Sequence, residues 1–272
     1  MTNIILPMAG AGKRFSDAGY QISKPALPVF DRRTKKQLPM VVCAAKDLPF
    51  LEPDGRNLFL IDRDYHKVEG VEELIQKSFP KAEFLTLSEL TQGQACTCLL
   101  ACECVDLKEP MLIAGCDNGM IFDEEALEHC MDGSDVIAFT YRNDERVLKN
   151  PSAFGWILAD ENHKVKQVSV KKPLSEEPMK DHAVVATFWF RKGEIYKELV
   201  NKMIECNDRV NGEFYVDTVM KYAVESGYRT KVFEIEKYIG WGTPEEYEYY
   251  QNTIQYWMEF VSGSDFIGNT NE

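Results

Sequence analysis

The 272-residue sequence lacks features that would assign it to several other classes of protein. It has no uninterrupted apolar run of about 18 residues, the length that a bilayer-spanning helix requires. Its first residues carry neither the charged start nor the long apolar stretch of a signal peptide, so we expect a cytoplasmic protein. Basic residues are fewer than acidic ones, 31 against 44, and the formal charge of −13 argues against binding to nucleic acid or to an anionic membrane.

The basic residues that are present are unevenly distributed. Residues 1–36 hold seven bases and two acids, a local charge of +5. Residues 163–173 hold four lysines and no acid. Two cationic stretches in an acidic chain indicate small anionic ligands.

Apolar runs and helical stretches alternate in the first half of the chain. Strands are predicted at 3–8, 57–61, 83–86, 111–114 and 135–141, and helices at 39–48, 70–79, 93–105 and 123–131. Such alternation favours a parallel sheet that is covered on both faces. The second half predicts a hairpin at 154–170, a strand at 183–190, helices at 193–206 and 214–226, a strand at 230–235 and a helix at 244–260.

These elements predict one α/β domain over residues 1–260, followed by a frayed tail over 261–272. The expected architecture is Rossmann-like, with three α/β/α layers, a mostly parallel central sheet and a mixed edge formed by the second half. We expect two functional halves, about 1–150 and about 151–250.

A glycine loop, Gly10-Ala11-Gly12-Lys13-Arg14, follows the first strand. Without bulky side chains, its backbone N–H groups can approach phosphate oxygens. It is not a P-loop, because Pro7 stands where that motif needs glycine. It is not a dinucleotide-binding fingerprint either, because Phe15 stands where that second motif needs glycine. Taken alone, a tight turn with incidental cations is an equally good interpretation.

The continuation of this loop is more specific. Gly10-x-Gly12-x-Arg14 followed by Lys24-Pro25 resembles the signature of the nucleotidyltransferases that join a nucleoside monophosphate to a sugar 1-phosphate. Later segments are similar to the landmarks of that family in the same order over about residues 3–250: Gln92-Gly93, a strand ending at Asp117, Phe154-Gly155-Trp156, Lys171-Lys172-Pro173, Asn211–Tyr215 and Gly242-Thr243.

The resemblance implies a function and a set of site residues. A nucleoside triphosphate and a phosphate monoester would react with release of pyrophosphate. Arg14 would hold the leaving pyrophosphate, Lys24 the α-phosphate, and Asp117 a Mg²⁺ cofactor; for Asp117, a turn or helix-capping role is the alternative. The implied nucleotide-binding residues are Ala9, Gly10, Ala11, Gly12, Lys13, Gln92 and Gly93. The implied acceptor-binding residues are Gly155, Lys171, Lys172 and Glu213, although Lys172 also fits a solvated lysine.

The chain departs from the family pattern in its acceptor half. Lys171 replaces the usual acid before the Lys-Pro pair, which suggests an acceptor with an additional anionic group. The family strand that contains glycine reads Val185–Phe190 here, without one, which adds bulk where a sugar ring would lie. Gly240 stands where many relatives have a second metal-binding aspartate. A second carboxylate would then come from Glu213, Asp217 or Glu236, or be absent.

Aromatic residues in the same half raise a second hypothesis, that they frame a cationic headgroup such as choline phosphate. Packing in the core is the alternative. The aromatic residues concerned are Trp156, Phe188, Trp189, Tyr215 and Trp241.

We therefore predict a Mg²⁺-dependent nucleotidyltransferase that makes precursors for surface glycans from a nucleoside triphosphate and a phosphate monoester. The alternatives are a cytidylyltransferase for a phosphocholine-like acceptor, or a regulatory protein that binds nucleotide without turnover. Association into a homo-oligomer stays open.

Overall fold

The computed structural model describes residues 1–268, and the side chains of residues 1–261. The described residues contain thirteen strands: β1 (Asn3–Pro7), β2 (Pro28–Asp31), β3 (Lys36–Pro39), β4 (Leu58–Arg63), β5 (Glu83–Leu87), β6 (Met111–Ile113), β7 (Asn118–Ile121), β8 (Val136–Tyr141), β9 (Gly155–Ala159), β10 (Val165–Val170), β11 (His182–Phe190), β12 (Thr230–Glu234) and β13 (Lys237–Gly240). The α-helices of the same residues are α1 (Lys13–Asp17), α2 (Met40–Lys46), α3 (Asp64–Val68), α4 (Val71–Gln76), α5 (Gln94–Ala101), α6 (Glu124–Met131), α7 (Arg146–Lys149), α8 (Gly193–Glu205), α9 (Val216–Glu225) and α10 (Pro244–Gly268).

The central sheet has the order β10-β9-β11-β6-β1-β4-β5, and β8 joins it beside β11 with β12 on its other side. Strands β6, β1, β4 and β5 run parallel, as do β8 and β12. Strand β11 is antiparallel to β6, β8 and β9. The predicted α/β class, with a mostly parallel sheet and a mixed edge, is confirmed.

Successive residues of β1 supply both faces of this sheet. Ile4 and Leu6 enter one apolar cluster, and Ile5 enters the other, with all three fully buried. Side chains alternate between faces along a strand, so an unbroken apolar run requires cover on both sides. This explains the layered arrangement from the sequence itself.

The parallel pairing of β1 with β6 brings two loops together. Ile5 is in register with Ile113, so the glycine loop after β1 and the segment that leads to Asp117 leave the same edge of the sheet. Ligands in open α/β sheets bind at this carboxyl edge. The fold therefore places the glycine loop beside Asp117.

Some elements differ from the prediction. The hairpin of β2 and β3, and the small sheet of β7 and β13, were not predicted. Helix α10 ends at Gly268 rather than at residue 260, so residues 261–268 of the expected tail are helical, and residues 269–272 lie outside the described part. Among the described helices, none is both long and apolar enough to cross a membrane.

Candidate active site

The glycine loop presents bare backbone to open space. Gly12 directly precedes α1. Its φ of 60° is a left-handed backbone conformation that suits glycine. A Cβ atom built on Gly10 or Gly12 would meet nothing within 4 Å. The Tyr65 hydroxyl donates to the Gly10 carbonyl at 3.1 Å and holds the loop from one side. A ligand can therefore approach this backbone closely.

The loop borders a cavity of about 800 Å³. The predicted site residues that line it are Ala9, Gly10, Ala11, Gly12, Lys24, Gly93, Asp117 and Glu213. Gln94, next to Gly93 in the predicted base-binding turn, lines it as well. Further lining residues that the sequence did not indicate are Arg63, Tyr65, Glu69, Thr91 and Thr97. They come from separate elements, and their residue types carry no motif of their own.

Lys24 and Asp117 form an ion pair at this cavity, with Nζ 2.7 Å from Oδ2. Lys24 begins a 3₁₀ turn over residues 24–26 whose Pro25 is buried, so the backbone of the lysine is anchored. Burial disfavours both charges, but their mutual attraction outweighs it: the pKa of Lys24 is raised and that of Asp117 is lowered. Both groups are charged at neutral pH.

Arg14 lies on the exposed face of the short helix α1. The next residue, Phe15, is buried against Tyr20 and Tyr247 and fixes this helix, with ring centroids 5.2 and 6.0 Å away. Within the described chain, no hydrogen bond or ion pair involves the Arg14 guanidinium. Its charge nevertheless contributes to the pKa shifts of the Lys24–Asp117 pair, which places it in the same electrostatic field.

Other N-terminal bases do not join the cavity. Lys13 is exposed and pairs with Asp17 at 3.1 Å. Arg32 donates to Asp47 at 2.6 Å and to the Met120 carbonyl at 2.9 Å. Of the seven basic residues within positions 1–36, all in the described part of the chain, only Lys24 is among the cavity-lining residues.

The predicted base-binding turn is packed against a distant segment. A Cβ on Gly93, where φ is 132°, would lie 2.5 Å from the backbone N of Phe214, so close packing requires glycine here. The neighbouring Gln92 side chain is exposed and accepts a hydrogen bond from Arg209. The structure brings Gly93 to the cavity and leaves the Gln92 side chain outside it.

Lys171, which the sequence predicted to bind the acceptor, already has partners within the chain. Its Nζ donates to the Ala153 carbonyl at 2.6 Å and lies 5.2 Å from the centroid of the Tyr215 ring. Burial lowers the pKa of Lys171, and the charge of Asp217 opposes that shift. Lys172 is exposed and is not among the cavity-lining residues.

Gly155 and Glu213 occupy different positions in that half. A Cβ on Gly155 would lie 1.9 Å from Asp217 Oδ1, so Gly155 is packed against a buried carboxyl group rather than open to a ligand. Glu213 lines the cavity. Ala186, with φ 59° in the irregular centre of β11, lines it too and places only a methyl group there.

The aromatic cage is not present. Its proposed members Trp156, Phe188, Trp189 and Trp241 are at most 3% exposed and belong to the core. Tyr215 is partly exposed, but the Lys171 ammonium already lies over its ring. The apolar character of these side chains is used in packing, so this hypothesis is wrong.

Asp117 offers a metal ion a carboxylate at the edge of the cavity. The described residues contain no group of three His, Cys, Asp or Glu side chains arranged as metal ligands. This donor set fits Mg²⁺, which takes one or two carboxylates and completes its shell with phosphate oxygens and water. Of the expected second carboxylates, Glu213 lines the cavity, Asp217 is buried against Gly155, and Glu236 is exposed.

Comparison with solved structures identifies the fold. The chain is similar to a nucleoside-diphosphate-sugar pyrophosphorylase from Vibrio cholerae (20% identity, TM-score 0.70, 91% of this chain and 98% of that one). It is also similar to a protein assigned as a glucose-1-phosphate thymidylyltransferase from Bacillus anthracis (17%, TM-score 0.69, 93% and 95%). A third is the inositol-1-phosphate CTP transferase from T. maritima (15%, TM-score 0.62, 90% and 91%).

No protein-family profile and no curated sequence matches the chain. At these identities the structural likeness establishes the fold: the chain has the fold of sugar-phosphate nucleotidyltransferases along nearly its whole length.

Proposed function

We propose that the protein is a Mg²⁺-dependent nucleotidyltransferase. It transfers a nucleoside monophosphate from a nucleoside triphosphate to a sugar 1-phosphate or a related phosphate monoester and releases pyrophosphate. The observation that carries the proposal is the 2.7 Å Lys24–Asp117 pair at a cavity bordered by bare glycine backbone. The nucleotidyltransferase descriptions of the similar structures support it.

The reaction needs positioning more than proton transfer. An oxygen of the monoester attacks the α-phosphorus, and a new P–O bond forms as the bond to the bridging oxygen breaks and pyrophosphate leaves with the electron pair. Because the monoester is already anionic, it needs no general base, and catalysis depends on alignment and charge neutralisation.

The chain supplies two cations for these roles. Lys24 is charged at neutral pH and reaches the cavity, so it can bind the α-phosphate and the incoming monoester together. Arg14, exposed and without a bonded carboxylate in the described chain, is available to the pyrophosphate. Asp117 would hold Mg²⁺, which when bound neutralises charge on the triphosphate and the leaving group.

The acceptor is the less constrained substrate. Lys171 is a partly desolvated cation near the acceptor end, which supports a monoester with an additional anionic group. The alternatives are a cytidylyltransferase with a non-sugar acceptor, and a nucleotide-binding protein without turnover. The proposal includes a location in the cytoplasm and a role in making precursors for surface glycans. It does not specify an oligomeric state.

Pyrophosphate release tests the proposal directly. Each of the four common nucleoside triphosphates is paired with a panel of phosphate monoesters, first with magnesium and then with EDTA. We expect release that depends on one triphosphate, on an acceptor and on magnesium. Nucleotide binding without release for any pair would favour the regulatory alternative, and no nucleotide binding would refute both.

A further inference from the structure

We propose that Glu246 supplies a second carboxylate for the divalent metal ion at Asp117, in place of the aspartate that the sequence lacks at position 240. The inference rests on the proposed function. The segment 240–243 connects the two carboxylates: the Trp241 N–H donates to the Asp117 carbonyl at 2.9 Å, and α10, which carries Glu246, begins directly after Thr243.

The glycines of this segment show where Glu246 lies. A Cβ on Gly240 would be 2.8 Å from Glu246 Oε1, so the carboxylate of Glu246 fills the space that a side chain at position 240 would occupy. A Cβ on Gly242 would be 3.1 Å from Asp117 Oδ2 and 3.7 Å from Glu246 Oε2. The two carboxylates therefore approach the same bare stretch of backbone.

The start of α10 holds the Glu246 carboxylate in this position. The Thr243 hydroxyl accepts from the Glu246 N–H at 3.2 Å and donates to Glu246 Oε2 at 3.2 Å. The first bond is the one that a helix-capping threonine makes to the residue three positions later. The second bond, from hydroxyl to carboxylate, is an addition to that motif. It turns the carboxylate back towards the strand end instead of into solvent.

The hydrogen bonds of the helix cap do not neutralise the negative charge of Glu246. Lys24 neutralises Asp117, whereas no ion pair involves Glu246 in the described part of the chain. Oxygens of both carboxylates lie within 4 Å of the Cβ position on Gly242, and Asp117 lines the cavity. Two carboxylates so placed fit a hard divalent cation.

Metal binding can be measured without turnover. Mn²⁺ is titrated into the full chain by electron paramagnetic resonance, alone and with each of four α,β-methylene nucleoside triphosphates. Glu246→Gln should weaken Mn²⁺ binding at least about tenfold in the presence of the analogue that binds. Glu245→Gln is the matched control, because Glu245 is exposed and paired with Lys149. The Mn²⁺ affinity of this variant should stay within about twofold of the wild-type value.

A second variant shows whether weaker Mn²⁺ binding results from loss of the carboxylate or from misfolding. Gly240→Asp combined with Glu246→Ala returns a carboxylate to the strand end and removes the side chain that fills this space, so Mn²⁺ binding should be recovered. Wild-type affinity in a folded Glu246→Gln protein, or no recovery in a folded double variant, would overturn the proposal.

The proposed function is tested separately by binding of the analogues to the wild type in the presence of Mg²⁺. Failure of all four analogues to bind would refute the function. Analogue binding with an unaltered Mn²⁺ affinity in Glu246→Gln would refute only the metal ligand. Wild-type protein that binds analogue but no Mn²⁺ would likewise refute the ligand alone.

Discussion

The ends of the candidate site that we assign to the donor and to the acceptor differ in how many of their polar groups already have partners within the chain. At the donor end, a Cβ on Gly10 would meet open space, and Lys24 faces the cavity. At the acceptor end, Lys171 is bonded to Ala153, and Gly155 is packed against a buried carboxyl group. Under the proposed assignment, the donor end offers phosphate bare backbone and a cation, whereas an acceptor would have to displace existing contacts to reach Lys171.

This difference explains why the triphosphate is easier to infer than the acceptor. Phosphate recognition needs bare backbone and fixed cations, which short sequence patterns encode. Acceptor recognition depends on which existing contacts a ligand can replace. The predictions below test the contrast from the largest expected effect to the smallest.

Lys24→Ala should reduce kcat for pyrophosphate release about 10³-fold, since it removes a preorganised cation from the reacting phosphate. Steady-state assays of pyrophosphate release measure this effect. Lys180→Ala is the control, because Lys180 is an exposed lysine paired only with Glu177 in the described chain. A rate within about tenfold of wild type for Lys24→Ala would contradict its assigned role.

Asp62, on β4 beside the donor end, should make the protein less stable as pH rises. It is fully buried with neither carboxylate oxygen hydrogen bonded, and burial raises its pKa to about 6. The folded state keeps the proton that the unfolded state loses near pH 4, so the free energy of unfolding falls between about pH 4 and 6, by up to about 3 kcal/mol.

Urea unfolding across this pH range compares wild type with Asp62→Asn. The variant should lack that part of the fall. Identical pH profiles would show that Asp62 does not retain its proton on folding.

Gly155→Ala should affect mainly the stability of the protein, and Gly10→Ala mainly its binding of nucleotide. The first places a methyl group against Asp217 and should lower the free energy of unfolding by roughly 2 kcal/mol. The second meets open space and should change stability by less than about 0.5 kcal/mol, while weakening nucleotide binding. Urea unfolding and nucleotide titration measure the two effects, and equal stability losses would remove the contrast between the ends.

Lys171→Gln should raise KM for the acceptor about fivefold and leave KM for the triphosphate unchanged, because its ammonium lies over the Tyr215 ring and Lys171 is not among the residues that line the cavity beside the glycine loop. Such a change corresponds to about 1 kcal/mol of binding. A change confined to the triphosphate KM would assign Lys171 to the donor end.

The sequence predicted the layers of the fold because buried strands such as β1 require apolar residues on both faces. The family resemblance pointed to Lys24 for the α-phosphate and to Asp117 for Mg²⁺, but their ion pair was not predicted. The parallel pairing of β1 and β6 brings the two segments to one edge of the sheet. The sequence did not predict the β7–β13 sheet, whose short strands depend on tertiary contacts. Aromatic residues in the sequence also could not show whether a tryptophan packs in the core or lines a ligand site. The residues around Glu246 carry no pattern that points to metal binding in addition to helix capping.

Phosphorus NMR of one complete reaction tests the central claim most directly. The protein is incubated with magnesium, the active triphosphate and its phosphate monoester, and the products are followed by their ³¹P resonances. The account predicts one equivalent of pyrophosphate for each new diphosphate-linked product, with neither formed by Asp117→Asn. Pyrophosphate with free nucleoside monophosphate and an unchanged monoester would contradict it.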